Sequence, residues 1–168
     1  GCNTINKLIQ DYVLPEEKHR GAFIEINGVR IYKGDKVINT KNNYEVQPNI
    51  FNGNMGEVIS VDIEESKLII DFYNIGEVEI SGKDLQAIEL GYAITTHKSQ
   101  GSTIPYVVSC IDYSHFVMLN RQQVYTMITR AKKKEIFIFE TRALNKAIKT
   151  NNVVNKRTFL YLFLVGEL

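Results

Sequence analysis

The feature that most constrains the fold is a change of hydrophobic period near residue 90. Between residues 29 and 90, apolar and polar residues alternate over short stretches, which is the period of half-buried β-strands. Pairs such as Gly34-Asp35 and Asn52-Gly53 separate these stretches and favour tight turns. Four of the five predicted strands are Lys36–Asn39, Glu57–Ile63, Lys67–Tyr73 and Glu77–Ile80. Five short antiparallel strands within about sixty residues predict a small barrel, because closure removes exposed strand edges.

The alternation also predicts which side chains of two strands share a face. The two sets are Ile59, Val61 and Ile63 in one strand, and Leu68, Ile70 and Phe72 in the next. Side chains two residues apart in a strand point to the same side of the sheet. Each set is therefore expected to line one face.

After Gly91 the pattern becomes an alternation of strands and helices. The predicted elements are a strand Tyr92–Thr95, a helical turn Thr96–Gln100 ended by Gly101, a strand Tyr106–Ile111, a helix capped by Asn120, a strand Ile136–Phe139 and a helix capped by Thr141. The helix after Asn120 is expected to continue to Lys134, and the apolar run Ile136–Phe139 is typical of a strand covered on both faces. This order predicts an α/β fold with a mainly parallel sheet.

A further amphipathic helix is predicted at the start of the chain. Its apolar residues at helical spacing are Ile5, Leu8, Ile9 and Tyr12. Asn3 or Thr4 can cap it and Pro15 can end it. We expect this helix to pack on the parallel sheet, which makes the strand-rich segment an insertion within one α/β domain.

The net charge of +1 conceals an uneven distribution. Residues 1–120 contain 10 basic and 16 acidic residues, whereas residues 121–168 contain 10 basic and 3 acidic. This division indicates a polyanionic or phosphate-bearing partner, although a solvated basic face beside an acidic neighbour would also account for it. No stretch reaches the roughly 18 apolar residues of a membrane span, so no membrane partner is expected. The two cysteines are too few for a disulfide framework and suit a reducing cytoplasm.

Several kinds of active site are missing from the sequence. The three histidines, His19, His97 and His115, lie far apart and have no Cys or carboxylate at metal-ligand spacing, so no metal site is predicted. Neither a nucleophile elbow nor a phosphate loop of the GxxxxGK[ST] type occurs.

Two segments remain as candidate sites. Thr95–Ser102 places hydroxyls, an amide and a cation beyond the carboxyl end of a predicted strand, where open α/β sheets bind ligands and where phosphate oxygens can be held. The alternative is that these residues only cap and end a turn. Arg130, near the end of the predicted helix, is suited to stabilising charge on a transferring phosphoryl group, while Lys132–Lys134 favour the helix C-terminus. The alternative is that Arg130 is an ordinary surface charge.

Together, the two segments resemble motifs V and VI of superfamily 1 helicases. Tyr92–Ser102 matches motif V, and Val124–Lys133 matches motif VI. Three segments resemble the inserted SH3-like barrel, domain 2B, and a fourth resembles the helix that enters the second motor domain, 2A. They are Gly34–Val37, Asn42–Tyr44 and Phe51–Gly56 for the barrel, and Asn6–Gln10 for the helix. The chain as a whole resembles the C-terminal region of the RecD/TraA-like branch, the exodeoxyribonuclease V alpha-subunit family.

The resemblance implies a division of the chain and a role for individual residues. Residues 1–27 and 91–168 would form the RecA-like domain 2A, and residues 28–90 the SH3-like barrel 2B. Arg130 would be an arginine finger on the ATP γ-phosphate, with Gln100 and Gly101 also near the nucleotide. The implied contacts to single-stranded DNA are Thr95, His97, Lys98, Ser99, Asn43 and Tyr44. Thr103 and Ile104 depart from the Glu and Phe that the family commonly has, which weakens the expected contact to the ribose.

The resemblance also implies partners that the chain lacks. ATP and Mg²⁺ would be bound in a longer protein whose N-terminal motor domain supplies the Walker residues, and the motor would move 5′ to 3′ on DNA. Subunits of a recombination nuclease are further implied partners. We expect the chain alone to bind no cofactor tightly, to hydrolyse no ATP and to unwind no DNA. A free-standing nucleic-acid-binding module without ATP coupling is the alternative, and a protein–protein adaptor that uses the acidic barrel is a third.

Overall fold

A computed structural model describes residues 1–15, 21–101 and 103–151 of the chain. These residues belong to two units, Gly1–Ser99 and Gln100–Leu168. His19 and the end of the predicted segment 91–168 lie outside the described residues. The predicted boundary between residues 27 and 28 falls in the turn of a hairpin, and the domain boundaries remain predictions.

The first unit consists of one helix, a hairpin and a five-stranded antiparallel sheet. Its elements are α1 (Cys2–Val13), β1 (Phe23–Ile26), β2 (Val29–Tyr32), β3 (Lys36–Asn39), β4 (Met55–Asp62), β5 (Lys67–Phe72), β6 (Gly76–Ser81), a 3-10 helix (Gly82–Ala87) and β7 (Ile88–Leu90). The four strands named from the sequence are confirmed. The hairpin β1–β2 was not predicted, although its Asn27-Gly28 turn, with φ of 51° and 76°, carries a strong hairpin signal.

The core of this unit confirms one predicted strand face and corrects the other. Leu68, Ile70 and Phe72 are completely buried, as the alternation predicts. In β4, the register with β5 shifts between Val58 and Ser60, so the strand carries a β-bulge at Ile59. Val58 is buried, whereas Ile59 is only partly so, because a bulge reverses which side chains face the core. The prediction that Ile59, Val61 and Ile63 share one face is therefore wrong.

The five strands do not close into a hydrogen-bonded barrel among the described residues. Their order is β6-β5-β4-β3-β7, so β6 and β7 each pair on one side only. The 3-10 helix Gly82–Ala87 separates these two strands in the chain, and β7 has only three residues. The small antiparallel sheet is as predicted, but its ladder is open.

Helix α1 buries its polar face, which reverses the expected arrangement. Asn6 and Gln10 are each 6% exposed, whereas Leu8 is 65% and Tyr12 is 88% exposed. The helix begins one residue after Gly1, which is its N-cap, so the predicted caps Asn3 and Thr4 lie inside it. The amides of Asn6 and Gln10 are buried because they bind groups of the segments that enter and leave the five-stranded sheet.

The second unit is a βαβ arrangement followed by a helix. Its elements are β8 (Ile104–Ile111), a 3-10 helix (Tyr113–His115), α2 (Arg121–Ile128), β9 (Ala131–Phe139) and α3 (Thr141–Lys149). Strands β8 and β9 are parallel, as predicted. The predicted cap of α2 is confirmed, because Asn120 Oδ1 accepts a hydrogen bond of 2.9 Å from the Gln123 backbone N–H. The core contains Ile111, Leu119, Met127, Ala143 and Ala147.

Three predictions for this unit are wrong. Thr141 is the first residue of α3 and not its cap, because Glu140 is the N-cap and no side chain caps the helix. Helix α2 ends at Ile128 and β9 begins at Ala131, so Lys132–Lys134 lie in a strand and not at a helix C-terminus. The strand Ile136–Phe139 is not covered on both faces, since Ile136 is 51% and Ile138 is 58% exposed. Val108 pairs with Ile136 on the same open face, which Cys110 also shares. Within the described part of this unit, the helices cover the other face, through Ile111 and Phe137.

Candidate functional site

The predicted strand Tyr92–Thr95 does not form, and a side chain of α1 accounts for this. Asn6 Oδ1 accepts a hydrogen bond of 2.6 Å from the Ala93 backbone N–H, and Asn6 Nδ2 donates to the Ala93 carbonyl at 2.9 Å. The same amide donates to the Leu90 carbonyl at 3.3 Å. One side chain thus takes both backbone groups of Ala93 that a neighbouring strand would otherwise pair. The 92–101 segment therefore starts from a point fixed by α1.

A buried carboxylate fixes the same segment from the other side. Asp35 is completely buried, and its Oδ2 accepts hydrogen bonds of 2.7 Å from Gln10 Nε2 and from the Tyr32 backbone N–H. Its Oδ1 accepts a hydrogen bond of 2.9 Å from the Tyr92 hydroxyl. Burial, followed by the negative charge of Asp35, raises the pKa of Tyr92 well above its usual range. Tyr92 therefore remains a protonated donor at neutral pH.

The predicted helical turn after Thr95 is a series of hydrogen-bonded turns. The Ser99 backbone N–H donates to the Thr95 carbonyl at 3.1 Å, and the Lys98 N–H donates to Thr95 Oγ1 at 3.3 Å. Ser99 is 6% exposed and its hydroxyl donates to the Thr96 carbonyl at 2.8 Å. The hydroxyls of Thr95 and Ser99 therefore organise the turn itself, while His97 is exposed to solvent.

Lys98 is the cation of this turn, and its partner is a surface carboxylate. Lys98 Nζ lies 2.6 Å from Glu89 Oε2, and both side chains are partly exposed. Ion pairs of this kind contribute about 0–1 kcal/mol, so a phosphate oxygen can replace the carboxylate. A Cβ built on Gly53 would lie 3.7 Å from the Lys98 carbonyl oxygen, which places the 40–54 loop of the five-stranded sheet beside this turn.

Two of the predicted DNA contacts, Asn43 and Tyr44, lie in the 40–54 loop and have different surroundings. Asn43 Nδ2 donates to Asp84 Oδ2 at 2.8 Å, and Asn43 Oδ1 accepts from the Glu45 backbone N–H at 2.8 Å. Its side chain therefore holds the loop in shape. Tyr44 is 65% exposed and meets the Phe51 ring edge to face, with ring centroids 5.9 Å apart.

Arg130 lies in the second unit, in the connection between α2 and β9. Its Nε donates to the Thr126 carbonyl at 3.0 Å and its Nη2 to Thr129 Oγ1 at 3.2 Å, so the guanidinium is held at the end of α2. The Arg130 carbonyl accepts from the Ile104 N–H at 3.0 Å, which links it to the start of β8. Gln100 is exposed, and Gly101 adopts a φ of +82° that favours glycine. Within residues 1–15, 21–101 and 103–151, no cluster of side chains could hold a metal ion.

The six predicted DNA contacts and the three predicted nucleotide contacts therefore divide between the units. Thr95, His97, Lys98, Ser99, Asn43 and Tyr44 belong to the first unit, whereas Gln100, Gly101 and Arg130 belong to the second. Sequence reasoning missed Asn6, Asp35 and Glu89, which position or pair these residues. Asp35 stood in a Gly-Asp turn and Asn6 in the segment that resembles the helix entering domain 2A, but neither pattern indicated the contacts that these residues make.

Two protein families match the chain, in consecutive segments. Residues 5–72 match the ATP-dependent RecD-like DNA helicase SH3 domain. Residues 90–138 match the UvrD-like helicase C-terminal domain. The first match contains most of the five-stranded sheet, and the second contains the 92–101 segment and Arg130.

The relatives that match along the sequence are longer proteins. The chain is 40% identical over 112 residues to the ATP-dependent RecD2 DNA helicase of Deinococcus radiodurans, covering 64% of this chain and 15% of that protein. It is 28% identical over 157 residues to the RecBCD enzyme subunit RecD of Buchnera aphidicola subsp. Acyrthosiphon pisum, covering 92% of this chain and 25% of that subunit. The chain thus spans a quarter or less of either relative.

Solved helicase structures share the fold. Unliganded Pif1 from Bacteroides sp. aligns with a TM-score of 0.55 at 14% identity, over 94% of this chain and 44% of that one. Pif1 from Candida albicans aligns with a TM-score of 0.50 at 18% identity, over 81% of this chain and 37% of that one. In the described part of the chain, no helix is long and apolar enough to cross a membrane.

These comparisons agree with the architecture of both units. The α/β fold class with an SH3-type small sheet is confirmed, with the open ladder described above. The matched domains occur in the predicted order, the SH3 domain before the helicase C-terminal domain. The chain therefore belongs to the RecD-like helicases of superfamily 1 and corresponds to their C-terminal region.

Proposed function

We propose that this chain is the C-terminal part of an ATP-dependent DNA helicase of the RecD/TraA type that moves 5′ to 3′. The Thr95–Ser99 turn and Tyr44 contact single-stranded DNA, and Asn43 shapes the loop that carries Tyr44. Residues 1–27 and 91–168 form domain 2A, and residues 28–90 form domain 2B. The similarity to the Deinococcus relative, an ATP-dependent DNA helicase, supports the activity.

The observation that carries this proposal is the position of Lys98. Its ammonium extends from a turn that three hydrogen bonds hold in shape, and its partner Glu89 is a surface carboxylate. A preformed turn loses little conformational entropy on binding, and the exchangeable carboxylate occupies a place that a DNA phosphate can take. His97 is exposed on the same turn and can reach the same strand.

The nucleotide role belongs to the second unit. Arg130 presents a planar fork of donors that suits a terminal phosphate, and the end of α2 holds this side chain in place. The described residues fit only part of a nucleotide site, because they offer no phosphate loop and no cluster of metal ligands. We propose that ATP and Mg²⁺ bind where an N-terminal motor domain supplies those groups, and that Gln100 and Gly101 border the nucleotide.

Substitution of the two members of the ion pair tests the DNA-binding role. Lys98→Ala should weaken the binding of a fluorescent oligo-dT, and its log–log salt dependence should lose about 0.7 of slope, the value for one phosphate. Glu89→Gln should tighten binding, because it releases Lys98 and removes a negative charge. Both are measured by fluorescence anisotropy of the chain at several salt concentrations.

The matched control is Lys67→Ala, because Lys67, at the start of β5, is also a lysine paired with a glutamate, 3.6 Å from Glu79. Equal effects of Lys98→Ala and Lys67→Ala on the oligo-dT affinity would contradict the assignment of Lys98. A wild-type chain without measurable affinity for oligo-dT would contradict the proposed DNA path as a whole.

A second candidate is a free-standing nucleic-acid-binding module without ATP coupling. It is favoured by the division of these residues, since all six residues predicted from the sequence to contact DNA lie in the first unit. One measurement on the longer protein that contains this chain distinguishes the two candidate functions. ATP analogues should change its DNA affinity if it is a motor, and should leave that affinity unchanged if it is a module.

The remaining partners follow from the relatives. RecD is named as a subunit of the RecBCD enzyme in several of them, so we propose nuclease subunits as further partners of the longer protein. We propose a cytoplasmic location, where single-stranded DNA and ATP are both present.

A further inference from the structure

We propose that Tyr44 and Phe51 form a platform on which bases of single-stranded DNA stack, next to the Thr95–Ser99 turn. This inference rests on the proposed function and extends its DNA path onto the five-stranded sheet. The ligand is the flat face of an unpaired base, whereas Lys98 takes the phosphate backbone.

The first argument is the exposure of two aromatic rings on one short loop. Tyr44 is 65% and Phe51 is 45% exposed, although Ile50, next to Phe51, is only 1% exposed and fills the core. The rings meet edge to face, at 75° between their planes. An edge-to-face pair covers only one face of one ring, so aromatic surface stays open to solvent. Stacking on such surfaces is how proteins bind single strands without regard to sequence.

The second argument is that the loop is already rigid. The Phe51 backbone N–H donates to Asn54 Oδ1 at 2.6 Å, and its carbonyl accepts from the Asn39 amide at 3.1 Å. Asn43 and Ile50 exchange two backbone hydrogen bonds, of 2.7 and 3.1 Å. The rings therefore need little ordering when a base arrives, which lowers the entropic cost of binding.

The third argument is that the acidic groups near the platform are occupied. Glu45 pairs with Lys83 at 3.0 Å, and Asp84 accepts the Asn43 amide. The Lys83 ammonium therefore offsets the charge of Glu45, whereas the neutral Asn43 amide leaves the charge of Asp84 in place. Lys41 adds a positive charge to the same loop.

The fourth argument is continuity with the proposed phosphate contact. The Phe51–Asn54 turn approaches the Lys98 backbone, because a Cβ on Gly53 would lie 3.7 Å from the Lys98 carbonyl oxygen. A strand whose phosphate binds Lys98 therefore has neighbouring bases within reach of the two rings.

The test uses Tyr44→Leu and Phe51→Leu in the full 168-residue chain. Tyr73→Leu is the matched control, because Tyr73 is as exposed as Phe51, at 45%, and follows β5 in the same sheet. Thermal midpoints of all variants establish that each chain is folded. Each loop variant should bind oligo-dT about fivefold to 100-fold more weakly than the wild type, while the control should bind equally well.

Abasic oligonucleotides separate stacking from other effects of the substitutions. An oligo-dT with one base removed at successive positions should bind the wild type more weakly at one or two positions. The same removal should not weaken Tyr44→Leu further, because the platform is already lost. An abasic effect that persists unchanged in the loop variants would overturn the platform.

The remaining outcomes distinguish this proposal from the proposed function. If the wild type binds oligo-dT and the loop variants bind equally well, the platform is wrong and the DNA path through Lys98 stands. That result would also be expected if the rings contact a protein partner. If the wild type shows no affinity, both the platform and the proposed DNA path are wrong.

Discussion

At the scale of single residues, Asp35 shows how a buried charge is tolerated in this chain. Its two oxygens accept hydrogen bonds from Gln10, Tyr32 and Tyr92, so the carboxylate has replaced its lost water with protein donors. An unpartnered buried carboxylate would cost far more than these hydrogen bonds contribute. Removal of any one of these donors should therefore destabilise the fold more than removal of a donor that faces solvent.

Tyr92→Phe should lower the free energy of unfolding by about 1.5–3 kcal/mol, the range for a hydrogen bond to a charged group. It should also change how the free energy of unfolding decreases at alkaline pH. Because folding raises the pKa of Tyr92, its contribution is complete below the unfolded value near pH 10 and is lost as the pH rises further. The variant should lack that loss. Urea unfolding between pH 7 and pH 11 measures both effects.

The control is Tyr12→Phe, because Tyr12 is 88% exposed on α1. It should keep the wild-type stability and the wild-type alkaline decrease. If Tyr92→Phe showed the same curve as Tyr12→Phe, the hydrogen bond to Asp35 would carry no stability.

Sequence alone identified the residues that offer chemistry but not the residues that position them. Lys98 and Arg130 stand in recognisable motifs, so their candidacy is visible in the chain. Glu89 and Asn6 act through contacts that depend on the fold, and a side chain 87 residues away from Ala93 has no local pattern that announces it.

At the scale of elements, α1 is more than an amphipathic helix. Its polar residues face inwards because the backbone around residues 30–35 and 90–93 has groups that need partners. Hydrophobic period cannot show this, since it assumes that apolar side chains decide which face is buried. The bulge in β4 escaped prediction for a similar reason, because one extra residue in a strand leaves no compositional mark.

Asn6→Ala should loosen the 92–101 segment without unfolding the sheet. It leaves the Ala93 N–H and carbonyl without their partner, at a cost of about 1–3 kcal/mol. Amide exchange of this segment should therefore be about tenfold to 100-fold faster, while strands β3 to β6 keep their protection. Hydrogen–deuterium exchange read by mass spectrometry measures this directly.

Asn3→Ala is the matched control on the same helix, because Asn3 is exposed. Its exchange pattern should equal that of the wild type. If the 92–101 segment exchanged at the wild-type rate in Asn6→Ala, α1 would not be what positions it.

At the scale of the whole molecule, the chain has the fold of a helicase C-terminal region, and its described residues offer only part of the proposed nucleotide site. The order of the two matched domains was predictable, because the change of period and the two motifs are both visible in the sequence. The open face of the β8–β9 sheet was not predictable, since an apolar run has the same sequence pattern whether or not another element covers it. Ile136 and Ile138 show that difference.

Arg130→Ala in the longer helicase should abolish DNA-stimulated ATP hydrolysis, with a loss of about 10³–10⁵ in turnover. ATP binding should change little, because an arginine finger acts mainly on the transition state. Arg130→Lys should rescue little activity, since a lysine lacks the planar fork. Steady-state ATPase assays and nucleotide titrations measure the two properties separately.

Arg142→Ala is the control within the same unit, because Arg142 stacks on the Tyr113 ring, at 4.0 Å, away from the α2–β9 connection. It should retain turnover. Wild-type hydrolysis by Arg130→Ala would remove the arginine-finger assignment, and hydrolysis by the 168-residue chain alone would contradict its dependence on a second motor domain.

The pairing of β3 with β7 has a consequence for how such a protein can evolve. Val37 lies opposite Leu90, so the chain enters and leaves the five-stranded sheet at adjacent positions, and we call this pair of residues the stalk. The two ends are about 5 Å apart, the spacing of adjacent strands. The segment between these two ends can therefore be lengthened, shortened or replaced without changing the path of the rest of the chain. The stalk itself has no such freedom, because a Cβ on Gly91 would lie 2.8 Å from the Val37 carbonyl carbon.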